Sequence, residues 1–115
     1  MTYILIHNPG CGSSKKGLAL LEENGVTVEV RKYTGATNRL SIEELKDIAA
    51  KMGNVSPRIF LREKDAAKFD LSESASDEEV FAAMADNPKL IQRPIGINGD
   101  KAILGRPNSA LLDIL

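Results

Sequence analysis

His7 and Cys11 are the only histidine and the only cysteine of the chain, and both fall in the run His-Asn-Pro-Gly-Cys-Gly-Ser-Ser-Lys-Lys-Gly, residues 7–17. The chemistry this run offers is nucleophilic attack by a thiolate. An unperturbed cysteine with a pKa of about 8.5 is only about 3% ionised at pH 7, whereas one shifted to about 6.5 is roughly three-quarters ionised. Gly10 and Gly12 flank the sulfur without side chains, so an anion can come close to the backbone. Ser13 and Ser14 offer a helix cap or hydroxyl donors to an oxyanion. Free cysteines are often small buried residues, but the neighbours here are Gly, Ser and Lys rather than Leu and Val, which favours a reactive role. For His7 two readings stay open: a hydrogen-bonded residue at a strand end, or an electrostatic support for Cys11, positive if protonated. Lys15 and Lys16 read as solvated helix residues that add positive potential only if they turn toward the site.

Other chemistries are excluded by position. A phosphatase loop of the Cys-x5-Arg type needs arginine where Gly17 stands, and a phosphate-binding Gly-x4-Gly-Lys-Ser/Thr loop is absent. No second His/Cys pair exists to build a zinc site. One cysteine cannot make an internal disulfide, so any disulfide chemistry draws its second sulfur from another molecule. Fifteen basic and sixteen acidic side chains give a formal charge of −1, which argues against broad binding to nucleic acid or an anionic membrane. The apolar run Tyr3-Ile4-Leu5-Ile6 is too short for a signal peptide or a membrane span, so a cytoplasmic location is expected. A chain of 115 residues with 43% hydrophobic and 27% charged residues reads as one globular domain, residues 1–115. No exposed apolar stripe stands out, and a monomer is expected.

The elements that must position Cys11 follow from periodicity. Residues 2–6 read as a buried strand broken by Asn8-Pro9-Gly10, and residues 13–24 as a helix stopped by Gly25. Residues 26–33 alternate with period two as a second strand. This β-α-β order suits a parallel pair and sets Cys11 between a strand and a helix N-terminus, where unpaired N–H groups favour negative charge. Ser41-Ile-Glu-Glu44 and Ser76-Asp-Glu-Glu79 are capping boxes that open two amphipathic helices. A short helix is expected around Pro57–Leu61, then polar loop with a possible further turn. Two apolar runs around Asn98-Gly99-Asp100 predict a hairpin, and Pro107 suits the first turn of a final helix over 108–115. The total is an α/β fold: a thioredoxin-like mixed sheet with a helical insertion.

The run His7-Asn-Pro-Gly-Cys11-Gly-Ser-Ser, with Arg93-Pro94-Ile95, Leu104-Gly-Arg106-Pro107, Arg58-Ile-Phe-Leu-Arg62 and Leu112-Asp-Ile-Leu115, resembles the glutaredoxin-linked arsenate reductases, the ArsC family, essentially end to end. The resemblance implies a thioredoxin-like sheet with a helical insertion and reduction of arsenate to arsenite. Cys11 would be the nucleophile, with His7 and Ser14 in support. Glutathione would be co-substrate and glutaredoxin partner, with no bound cofactor or metal. Arg62, Arg93 and Arg106 would hold the oxyanion. Arginine's planar, permanently charged fork suits that task, although Arg58 lies one turn from Arg62 and can be confused with it. The isomer of Pro94 stays open. Lys15 stands where the family commonly has arginine, Gly17 weakens the first helix, and residues 63–76 look diverged. Two alternatives remain: an Spx-type regulator that binds RNA polymerase, and a related thiol reductase with another substrate. Ser14 in place of a second cysteine, and the presence of Arg106-Pro107, favour the enzyme.

Overall fold

The computed structural model describes residues 3–8, 10, 12–33, 38–69 and 71–115. The chain divides into two compact units, residues 1–33 with 93–115, and residues 34–92.

The first unit is a sheet with helices. Strand β1 (Tyr3–His7) leads to helix α1 (Gly12–Glu23) and strand β2 (Val28–Lys32). Strands β3 (Ile95–Asn98) and β4 (Lys101–Leu104) follow after the second unit, and a 3-10 helix spans Asn108–Ile114. The sheet order is β2-β1-β3-β4, with β1 parallel to β2 and antiparallel to β3, and β3 antiparallel to β4. Central β1 is buried almost throughout while edge strand β2 is largely exposed. Gly99 has φ of 64° and is the first residue of the two-residue hairpin loop, a position where a positive φ favours glycine. Asn98 is the last strand residue, paired with Lys101.

The core of this unit joins Tyr3, Leu5 and Leu21 to Leu111 and Ile114. The Tyr3 hydroxyl donates to the Leu111 carbonyl at 2.6 Å, tying the first strand to the last helix. Burial pushes the Tyr3 phenol up to about 12, because a phenolate there would lose its water. Three glycines make room for Leu111. A Cβ added to Gly17 would stand 2.9 Å from the Leu111 side chain and 3.0 Å from Pro94, one added to Gly105 would collide with Pro94 and Leu111, and one added to Gly96 would collide first with the Tyr3 side chain and then press on Leu111 at 3.0 Å. Gly17 therefore permits close packing at the cost in helix propensity that its presence in α1 implies. The terminal helix is 3-10 rather than α, and Pro107 caps it from outside instead of opening its first turn.

The second unit is helical. Helix α2 (Ile42–Lys51) and helix α4 (Asp77–Asp86) both begin with the full reciprocal capping box read from Ser41 and Ser76. Leu45, Ile48 and Ala49 are buried on α2, and Val80, Phe81 and Met84 on α4. Short 3-10 turns at Pro57–Phe60 and Pro88–Leu90 bring Leu61 opposite Ile91 in an isolated antiparallel bridge. The segment after Leu61, read only as polar loop with a further turn, holds the short helix α3 (Glu63–Ala66) and a 3-10 turn at Ala67–Phe69.

Gly17→Ala tests the glycine packing. Helix propensity alone favours alanine by about 1 kcal/mol, whereas the contacts with fully buried Leu111 predict a net loss of roughly 1–3 kcal/mol from overpacking. Chemical denaturation decides the sign: a more stable Gly17→Ala would refute the packing argument.

Candidate active site

Cys11 and Pro9 lie outside the described residues. What is described is the frame around them. Gly12, bonded to Cys11, opens α1, a helix long enough to carry a dipole. A Cβ on Gly12 would meet nothing within 4 Å, so the backbone there is unobstructed.

Ser14 is fully buried within the first turn, and its Oγ accepts the Asn8 N–H at 3.3 Å. It ties the end of β1 to α1 across the Cys11 segment, a positioning contact rather than a helix cap. The Asn8 side chain in turn accepts the Gly10 N–H at 2.9 Å.

His7 closes β1 opposite Lys32 and is 5% exposed. Its Nδ1 is buried with no hydrogen-bond partner among the described residues. Burial first, then Lys32, holds its pKa below the usual histidine value; a backbone hydrogen bond with Ser14 opposes this, and Lys15 lowers the pKa further. A protonated His7 lending positive potential is therefore not what the structure favours: at pH 7 the ring is neutral.

The two Arg-Pro motifs meet. Both Arg93–Pro94 and Arg106–Pro107 are cis. Arg106 Nε donates to the Arg93 carbonyl at 3.0 Å, and the Gly105 N–H donates to the Pro94 carbonyl at 2.8 Å. A cleft of about 400 Å³ lies between the first turns of α1, with Gly12, Ser13 and Lys16, and the segment after β4, with Gly105, Arg106 and Asn108. Its described lining holds two cations and no carboxylate. Positive groups and free helix N–H groups in one cleft favour an anion.

Asn108 is a residue the sequence reading missed. With its amide nitrogen turned inward it donates to the Gly105 carbonyl at 3.0 Å and to the Ser13 carbonyl and hydroxyl at 3.3 Å. It thus clamps the residue before Arg106 to the first turn of α1. Adjacency to Arg106-Pro107 was its only signal, since nothing in an Asn at a helix start reveals a partner 95 positions away.

Arg62 belongs to the helical unit. It precedes α3, and its Nε stands 3.3 Å from Asp65, with both side chains mostly buried. Arg58 donates to the carbonyls of Ser72 and Ala75 at 2.7 and 3.3 Å, which commits it to holding the 72–75 turn and separates its role from that of Arg62. Among the described residues no group of three His, Cys, Asp or Glu side chains is placed to hold a metal, and no helix is long and apolar enough to cross a membrane.

A mixed sheet with a helical insertion, and a cleft lined by Lys16 and Arg106 at the first turn of its first helix, define a thioredoxin-like α/β protein. The chain belongs to the ArsC family, whose model matches residues 6–114. It is 40% identical to an arsenate reductase of Haemophilus influenzae over the full length of both chains. It is also 38% identical to a protein of Escherichia coli, described as uncharacterized, over 96% of this chain and 94% of that one. The structure of an arsenate reductase from Vibrio cholerae superposes with a TM-score of 0.89 at 39% identity, covering 100% of this chain and 98% of the other.

The lone histidine makes one prediction simple to read. In an NMR titration the His7 ring should titrate below the ordinary value of about 6.5. Because the unfolded chain then binds the extra proton, folding stability should fall as pH drops below about 6.5 and level off below the folded-state pKa. A midpoint at or above the ordinary value would contradict the buried, neutral ring.

Proposed function

We propose that this protein reduces arsenate to arsenite through Cys11, with glutathione and glutaredoxin supplying the electrons. The observation that carries the reading is the meeting of the two Arg-Pro motifs at the helix that follows Cys11, in a chain that aligns along its whole length with an arsenate reductase.

The Cys11 thiolate attacks arsenic and displaces water from the protonated oxyanion, giving a sulfur–arsenic adduct. Free N–H groups of the first turn of α1 and the Arg106 guanidinium offset negative charge on the thiolate and the arsenate oxygens. Glutathione then attacks the Cys11 sulfur. The sulfur–arsenic bond breaks with its electron pair going to arsenic, which leaves as arsenite, and Cys11 is left in a mixed disulfide with glutathione. A glutaredoxin thiol takes the glutathionyl group and returns Cys11 to the thiolate. Two thiols are oxidised to one disulfide for each arsenate reduced and one water released. A single cysteine suffices because both other sulfurs come from partners.

Arg106 is the oxyanion ligand that its place in the cleft lining favours; Arg93 and Arg62 join it on the family resemblance. Ser14 and Asn108 act as positioning residues through Asn8 and Gly105. His7 offers a neutral ring at the end of β1 that can accept a proton in the cycle. No bound cofactor or metal is invoked, and a monomer in the cytoplasm fits the scheme.

The test is arsenate-dependent NADPH oxidation with glutathione, glutaredoxin and glutathione reductase present. Cys11→Ser should abolish the rate. Arg106→Ala should lower kcat/KM by roughly 10²–10³, the usual effect of removing one oxyanion donor. Wild-type rates in both variants would overturn the site, and no rate in a folded wild-type protein with reactive Cys11 would overturn arsenate as substrate.

A further inference from the structure

We propose that the cleft beside the first turn of α1 is the seat of the thiol co-substrate, and that Lys16 binds a carboxylate of a peptide thiol there; this rests on the thiol-dependent reading above.

The cleft is larger than the oxyanion requires. Arsenate has five heavy atoms, and even at about 30 Å³ for each, the share of a water molecule in the liquid, it fills about 150 Å³. The cleft offers about 400 Å³. As a whole the cleft is of the size that holds a small organic ligand rather than an ion alone.

Its chemistry is that of an anion with a peptide-like body. Lys16 makes no ion pair among the described residues and lines the cleft with Arg106, whereas no described acidic side chain lines it. This concentrates positive charge on a chain whose formal charge is −1. Between the cations, the Ser13 hydroxyl, which accepts from Asn108, keeps its own proton to donate to a ligand amide.

Position assigns the two ends. Gly12 and Lys16 share one helix face at a spacing of four residues, about 6 Å along the axis. A ligand with its sulfur beside the open backbone of Gly12, next to Cys11 in the chain, reaches Lys16 with a group one helical turn away. A peptide thiol carries a carboxylate at that remove, and an uncharged small thiol does not. Arg106 remains for the oxyanion, so the two cations divide the two substrates.

The probe is S-methylglutathione, which carries the carboxylates and cannot react. Titrated into the wild-type protein it should shift the amide signals of Gly12, Ser13 and Gly105. Lys16→Glu should weaken its binding at least tenfold. Lys101→Glu, which makes the same change in net charge on β4 outside the cleft lining, should leave binding within twofold. In turnover, Lys16→Gln should raise the KM for glutathione at least fivefold, while Lys101→Gln should leave it within twofold. Equal binding by wild type and Lys16→Glu, or amide shifts confined to other residues, would overturn the proposal. Charge-dependent binding in a protein that does not reduce arsenate would uphold this site and sink the substrate; arsenate reduction with an unchanged glutathione KM in Lys16→Glu would do the reverse.

Discussion

The sheet unit depends on one buried side chain and the space cleared for it. Leu111 reaches α1, β3 and the segment after β4 at positions where each presents glycine: Gly17, Gly96 and Gly105. Its own carbonyl is held by the Tyr3 hydroxyl from the first strand. Because dense interiors yield little, this contact fixes how closely α1 can approach the terminal helix and the Arg106 segment. A methyl group at any of the three glycines would press these elements apart. The cleft keeps its shape because Leu111 has its place.

That packing supplies function through short links. Gly105 lies close against Pro94 and donates to its carbonyl, Arg106 holds the Arg93 carbonyl, and Asn108 bridges Gly105 and Ser13. The chain after β4 is therefore laced on one side to the cis-proline segment and on the other to the first turn of α1. Within the first turn of α1, buried Ser14 holds the Asn8 backbone. An anion that enters meets preplaced positive charge and N–H groups, and their reorganisation energy has been spent in folding.

The elements were legible where local physics decides them. Both capping boxes stood in the sequence because their reciprocal hydrogen bonds span only three residues, and the hairpin because Gly99 must supply a positive φ. The strands were found within two or three residues of their ends. The terminal helix was found, but its 3-10 geometry and the place of Pro107 just outside it were not legible. Gly17 read as a weakness of α1 because propensity is local, and its compensating contacts lie 94 and 77 positions away, at Leu111 and Pro94. At the site, the arginine pairs came from a family resemblance, and geometry added that Arg93 and Arg106 are linked. Asn108 could not be read at all. The charge of His7 stayed open in the sequence because burial and the cross-strand Lys32 appear only once β1 and β2 are paired.

In the proposed cycle one cysteine carries the whole electron transfer by way of a mixed disulfide. Intact-protein mass spectrometry tests it most directly, on reduced protein mixed with glutathione, with and without arsenate, and without glutaredoxin. One glutathionyl group per chain is expected, on Cys11, formed only when arsenate is present and removed when reduced glutaredoxin is added. Arsenite production with Cys11 unmodified throughout, or a glutathionyl adduct that forms equally well without arsenate, would contradict it.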